Sequence, residues 1–488
     1  MSDTPRGFAV KIVRRLREAG FEAYWAGGCV RDELLGREPD DYDVATSAPP
    51  EEIRRIFGRR RTLSVGAAFG VITVIGPPGA GNVEVATFRR DATYSDGRHP
   101  DHVVFTSAAE DAARRDFTIN GLFFDPIERR VLDFVGGQED LRRRVVRAIG
   151  DPRQRFAEDK LRMLRAVRFA ATLDFALDVA TAEAVRAMAA EIAIVSAERV
   201  GWEMRRMLVH PHCAAAVRLL IETGLAPTVW PEILPDVPAR ADQLALNLAV
   251  AERLADPEFP TVLAAVIRRL ASPECVWAIA ARWRLSNDET RRTEWLLACF
   301  GSIEEAPRLP WSRLQPILSA PGAEQLLRLA EASTPAAAAG AAHCRKAMAE
   351  WPERLDPPPL ITGEDLLRRG IPAGPLYRWL LAEVRAAQLD GRVGDQPSAL
   401  ALADELLGQG ASRASAGSLP IALPKPEDDA MDKKGKKKVQ LLHQRIQNLR
   451  QQLAGSKKQM DDPAELRALE QQLAAAEAEL AKLKEPPV

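Results

Sequence analysis

The segment PDDYDVAT, residues 39–46, sets Asp41 and Asp43 one residue apart, ahead of the apolar pair Val44 and Ala45. If DYDV is extended, side chains alternate faces. Asp41 and Asp43 then point one way, and Asp40 and Tyr42 the other. Two carboxylates on one face repel unless a cation lies between them, and a divalent ion, Mg2+ foremost, suits such an all-oxygen site. An isolated D-x-D is more often a pair of solvated loop acids. A third acid, Glu84 in NVEVATFR, faces opposite Val83 and Val85. Beside Asp41 and Asp43 it would complete a two-metal cluster; on an edge strand it would stand in water.

Other stretches suit phosphate and base. Gly27-Gly28 ends a short strand and opens a helix near Val30. Two glycines there let backbone N–H groups approach an anion, and the helix N-terminus adds a favourable field. Arg31, in the first helical turn, gains nothing from the helix dipole but could face a polyphosphate. In EDAARRDFTINGLFFDP, Arg115 could donate bidentately to phosphate or ribose. In EDKLRMLRAVRFAA, Glu158, Asp159, Arg162, Arg165 and Arg168 recur at spacings of three and four, which places Asp159, Arg162 and Arg165 on one helix face. Such a face is either a row of surface ion pairs or an acceptor–donor edge able to bond a nucleobase.

The elements that must position these residues change character along the sequence. Up to about residue 150, helical spacing in GFAVKIVRRLREAG alternates with short strands. GVITVIG and NVEVATF form a hairpin across PPGAG, giving an α+β head with a mixed or antiparallel sheet. From 151 to about 410 nearly every segment is Ala/Leu/Arg-rich with 3.6 spacing. Residues 411–430 are a Gly/Ser/Pro-rich linker. In 431–488, two a/d seams flank a break capped by Asp462 and Pro463, which predicts an antiparallel coiled-coil hairpin for self-association or protein docking, or a solubilising tail.

With 488 residues the chain exceeds one core. Its 67 basic and 68 acidic residues neither favour nor exclude nucleic acid. The five cysteines are scattered with no C-x-x-C, which argues against a zinc ribbon and for a reducing compartment. VHPHC (209–213) has no second cluster to complete a metal site. No apolar leader or membrane-length run occurs, so the expected location is cytoplasmic.

Taken together, Gly27-Gly28-x-Val30-Arg31-Asp32, Leu34-Leu35-Gly36, Asp41-x-Asp43, RRDFTIN (114–120) and EDKLRMLRAVRFAA (158–171) resemble the class II tRNA nucleotidyltransferases, the CCA-adding enzymes, and their poly(A) polymerase relatives. The resemblance implies a polymerase-β-like palm in a head (1–150), a helical neck (151–215), and a helical body and tail (216–410) that binds tRNA. It implies template-independent addition of CMP and AMP from CTP and ATP to the tRNA 3′ end. Asp41 and Asp43 would hold catalytic Mg2+. Gly28, Arg31 and Arg115 would bind the triphosphate. Asp159 and Arg162 would pair with the incoming base, supported by Arg165 and Arg168. An A-adding enzyme or poly(A) polymerase shares these motifs. A non-catalytic RNA-binding adaptor is the reading from another class. Lys160 stands where the family commonly has proline, and it could alter the start of the neck helix.

Overall fold

The computed structural model describes residues 4–410, apart from 65–69, 92–102, 233–236, 256, 272–273, 351 and 372–374. The expected linker (411–430) and coiled-coil hairpin (431–488) lie outside the described residues.

Helix α1 (Pro5–Glu18) starts where the Thr4 side chain accepts the Gly7 N–H, with proline at its first position. Ala9, Ile12, Val13 and Leu16, three or four apart, form its buried face. There follow β1 (Ala23–Ala26), α2 (Gly28–Leu34), β2 (Val44–Thr46), α3 (Pro50–Phe57), β3 (Thr62–Leu63), β4 (Val71–Ile75) and β5 (Asn82–Thr87). Beyond them come a two-stranded ribbon, β6 (Arg89–Asp91) with β7 (Val103–Phe105), then α4 (Ala108–Ala113), β8 (Leu122–Asp125) and β9 (Arg130–Asp133).

Seven strands form one sheet in the order β3-β4-β5-β2-β1-β8-β9. The β2–β5 pair is parallel and the other pairs are antiparallel, so the sheet is mixed. This topology gathers the chemistry at one end of the central strands. β1 runs antiparallel to β2 with Trp25 opposite Val44, so the end of β1, Gly27 and Gly28, meets the start of β2, Asp41 to Asp43. β5 starts at the same end, with Val85 opposite Val44.

The strand begins at Val44, later than DYDV predicts, because the ladder hydrogen bonds reach only that far. From Asp41 the run alternates, with Tyr42 and Val44 buried and Asp41 and Asp43 exposed, but Asp40 is exposed too and lines the same cleft as Asp41 and Asp43, so the alternation does not reach back to it. Backbone N–H of Ala26 donates to the Asp43 carbonyl at 3.0 Å and carries the strand direction back through the acids. Tyr42 meets Trp25 edge-on at 4.8 Å and donates its hydroxyl to Glu33 Oε1 at 2.8 Å.

After α5 (Gly137–Arg143) the fold is helical apart from a short parallel pair, Val145–Val146 with Ala176–Leu177. Helices α6 (Pro152–Glu158), α7 (Leu161–Leu173), α8 (Val179–Met188), α9 (Ala197–Leu208) and α10 (Cys213–Glu222) precede further helices that end at Gln396–Gly410. α7 is buried along most of its length, Arg162 and Arg168 included. One apolar core runs from Ala9 in α1 through α7 to Cys344. A second, separate cluster spans Ile361 to Ala403. Among the described residues no helix is long and apolar enough to cross a membrane.

Candidate active site

A cleft of about 910 Å3 has the end of β1, Asp41 and Asp43 on one wall and α7 with α9 on the other. Nine of the ten site residues expected from sequence line it: Gly28, Arg31, Asp41, Asp43, Arg115, Asp159, Arg162, Arg165 and Arg168.

Glu84 does not. It is exposed on β5, one strand over from Asp43, opposite Thr73 of β4. Its charge reaches Asp43, but among the described residues no three His, Cys, Asp or Glu groups converge closely enough to hold a metal ion. Glu84 thus stands outside the cleft lining, and Asp41 and Asp43 share the acidic side of the cleft with Glu38 and Asp40. The Asp43 carboxyl is pushed up to about 7, first by the protein hemming it in, then by the charges of Asp41 and Glu84, with Arg115 opposing. Asp43 remains open to solvent, so like-charge repulsion is the part of that shift a cation would remove.

The phosphate-type groups are preset. Gly27 has φ +78°, a conformation that strains any side chain, and a Cβ there would lie 2.8 Å from Arg115 Nη1 and push the guanidinium aside. Arg115 donates through Nη1 to the Asn120 carbonyl at 3.3 Å and through Nε and Nη2 to buried Asp111. Burial would raise the Asp111 carboxyl, but Arg115 and Arg114 outweigh it and hold it below the usual range. Arg31 forks onto Asp32 at 2.8 Å twice, and its Nη1 donates to Asn120 Oδ1 at 2.8 Å. These acceptors offset its position at a helix N-terminus. Asn120, which sequence reasoning left unassigned, therefore accepts from both Arg31 and Arg115.

Asp159 corrects an expectation. It lies in the break between α6 and α7 with φ −146° and ψ 106°, so it does not share a helix face with Arg162 and Arg165. Its two oxygens accept Arg199 Nη1 and Nη2 at 3.0 and 2.7 Å. Arg162 Nη1 donates to Glu158 Oε2 at 2.5 Å and to the Arg155 carbonyl at 3.0 Å. Asp159 and Arg162 thus border one cleft, each held by its own partner. Lys160 does not disturb this start: its φ of −62° after an extended residue is the geometry that proline itself imposes.

Behind them stands an ionic relay. Arg165 donates twice to Asp116 Oδ2, at 2.8 and 2.6 Å, and Arg168 donates to Glu203. Burial would raise the Asp116 carboxyl, but Arg165, Asn120 and the Phe117 N–H hold it down at about 2. Arg31, Arg165 and Arg168 all stack on Phe169, with guanidinium carbons 5.2, 5.3 and 4.0 Å from the ring centre. Sequence reasoning missed Arg199, Glu203 and Phe169. A signal existed for Glu203: it falls among Val200, Met204 and Met207 on the apolar stripe of α9, where an acid requires a partner.

The cysteines take no part. All five are free, and burial pushes the Cys29 thiol up to about 12. His212 Nδ1 lies 3.1 Å from the Ala171 carbonyl, which is a structural contact.

The cleft geometry agrees with what the protein is similar to. The family described as Poly A polymerase head domain matches residues 23–147, and the one described as Probable RNA and SrmB- binding site of polymerase A matches 174–236. The CCA-adding enzyme of Lactobacillus johnsonii is 32% identical over 397 residues, covering 95% of the relative and 80% of this chain. That of Geobacillus stearothermophilus is 34% identical over 407 residues, covering 94% and 80%. A crystal structure of Bacillus stearothermophilus CCA-adding enzyme in complex with CTP superposes with a TM-score of 0.68 at 29% identity, covering 98% of that protein and 84% of this one. A Thermotoga maritima CCA-adding enzyme complexed with tRNA shares the fold at 20% identity and a TM-score of 0.56, covering 95% and 83%. With a preset carboxylate pair facing preset guanidiniums, and with likeness over nearly the whole length of these relatives, this chain belongs to the CCA-adding enzyme family of nucleotidyltransferases.

Proposed function

We propose that this cleft adds CMP and AMP, from CTP and ATP, to the 3′ end of tRNA, with Asp41 and Asp43 holding Mg2+. The carrying observation is the opposition, across one cleft, of two exposed carboxylates and a wall of guanidiniums. The acid pair fits Mg2+, which takes one or two carboxylates and completes its shell with phosphate oxygens and water. Asp43, burdened by its acidic neighbours, is the group such a cation would relieve. Bound there, the ion lowers the pKa of an attacking hydroxyl and neutralises phosphate charge.

The protein's own residues do the rest. Gly28 and Arg31 meet the triphosphate from the end of β1, and Arg115 meets it from beside Gly27. Asp159 accepts from, and Arg162 donates to, the base of the incoming nucleotide. Arg165, Arg168 and Phe169 keep that edge in place. The tRNA 3′-hydroxyl attacks the α-phosphorus and pyrophosphate leaves in line. Residues 1–150 act as head, 151–215 as neck and 216–410 as the tRNA-binding body and tail. The enzyme works in the cytoplasm, and residues 431–488 serve self-association or a protein partner.

Supporting this reading, relatives carrying the name CCA-adding enzyme align over most of their length, and one was solved in complex with CTP. The test offers CTP and ATP with tRNA ending before CCA, tRNA ending in CC, and oligo(A). Extension of the first RNA by three nucleotides is expected. Extension of only the second makes this an A-adding enzyme, and long products on oligo(A) make it a poly(A) polymerase. Asp41→Asn and Asp43→Asn should each reduce incorporation at least a hundredfold with circular dichroism unchanged; near-normal turnover in either sinks the metal assignment.

A further inference from the structure

The α9 helix carries a feature that nucleotide binding leaves unused. Arg199, Trp202 and Arg206 recur at spacings of three and four, so they share one face, and His210 follows one turn on. Arg199, Arg206 and His210 line the cleft. Arg199 is the residue that holds Asp159. Trp202 is 64% exposed, with the Arg206 guanidinium carbon 5.8 Å from its ring centre. The helix buries its other face through Val200, Met204 and Met207, so the helix did not need an indole on the outside to fold.

Trp202 does not itself line the cleft but lies beside Arg206, which does, with its ring open to solvent. Its ring offers a flat π-face to any base, while the guanidinium beside it offers charge to a phosphate. Arg37, whose charge reaches His210, and Arg206 also line the cleft and have no acidic partner among the described residues. This is the make-up of a single-stranded nucleic-acid track: an aromatic platform beside one cation, Arg206, that no carboxylate among the described residues neutralises, with Arg199 on the same face held by Asp159.

We propose that the Arg199–Trp202–Arg206 face of α9 is the path by which the unpaired 3′ end of the RNA enters the cleft, and that Trp202 stacks on a base just upstream of the reacting 3′ nucleotide. The inference rests on the function proposed above and adds the residue that grips the acceptor strand. The platform reads no base edge, so it tolerates the change of terminal base as the end grows.

The experiment compares wild type, Trp202→Ala, Trp202→Phe and Trp277→Ala, the last being another exposed tryptophan, at 47%. Binding is read by anisotropy of 5′-labelled tRNA ending before CCA, and KM is measured separately for RNA and CTP. Trp202→Ala should weaken RNA binding about tenfold and raise the RNA KM by a similar factor. KM for CTP should hold, Trp202→Phe should recover most of the loss, and Trp277→Ala should match wild type. RNA binding by Trp202→Ala within twofold of wild type overturns the proposal. So does a Trp202→Phe as weak as the alanine, or a parallel rise in the CTP KM. A change of mass by light scattering in Trp202→Ala, with RNA binding intact, assigns the indole to a protein contact and also overturns it. A wild type that binds RNA through Trp202 yet adds no nucleotide upholds the platform and refutes the proposed activity.

Discussion

Asp116 shows how single charges support this cleft. It accepts two bonds from Arg165, one from Asn120 and one from the Phe117 N–H, and its carboxyl sits at about 2 against about 4 in the unfolded state. Because the folded value is the lower one, its stabilisation is fully present above pH ~4 and is lost as pH falls from about 4 to about 2. Asp116→Asn leaves Arg165 on one distant acid, Glu203 at 3.8 Å. We expect a loss of about 2 kcal/mol at neutral pH, less than for a fully buried pair because Arg165 is partly exposed. The variant and wild type should converge in stability below pH ~2. Denaturant midpoints across pH 2–7 check this, and a constant difference down to pH 2 would contradict it.

At the scale of elements, the break between α6 and α7 does the positioning. An unbroken helix would put Asp159 one turn from Arg162. The extended conformation at Asp159 instead presents both oxygens to Arg199 of α9. The same break already has the backbone a proline would impose, so Lys160→Pro should fold with stability within about 1 kcal/mol of wild type. The gain from a stiffer unfolded state is set against the Lys160–Glu191 pair, 2.7 Å apart. Ala166→Pro, in the middle of α7, should cost about 3 kcal/mol or more. Thermal melts of both variants make the comparison; a large loss at Lys160→Pro would show that the break depends on the lysine.

Over the whole molecule, 80% of this chain covers the relatives to 94–95% of their length, and the compact unit closes at Gly408. The family's machinery therefore has room before residue 411. Truncation after Gly410 should leave the melting temperature and nucleotide incorporation within twofold of the full-length protein. A tenfold loss of incorporation would make the tail part of the enzyme, and a fall in mass to that of a monomer would make it an oligomerising element.

The sequence by itself determined the local features: the direction shared by Asp41 and Asp43, because side chains alternate along extended backbone; the glycine turn; and the passage from mixed sheet to helices. Short-range periodicity carries such information. That nine of the ten expected residues line one cleft was decided by the fold, which brings the ends of their elements together. Tertiary structure alone decided the partners. Arg199 lies 40 positions from Asp159 and Arg165 lies 49 from Asp116, and no local pattern pairs charges across such distances. Glu84 shows the same limit. Strand parity told which way it faces, but whether it reaches the cleft depends on how neighbouring strands and the α7 wall are set in space.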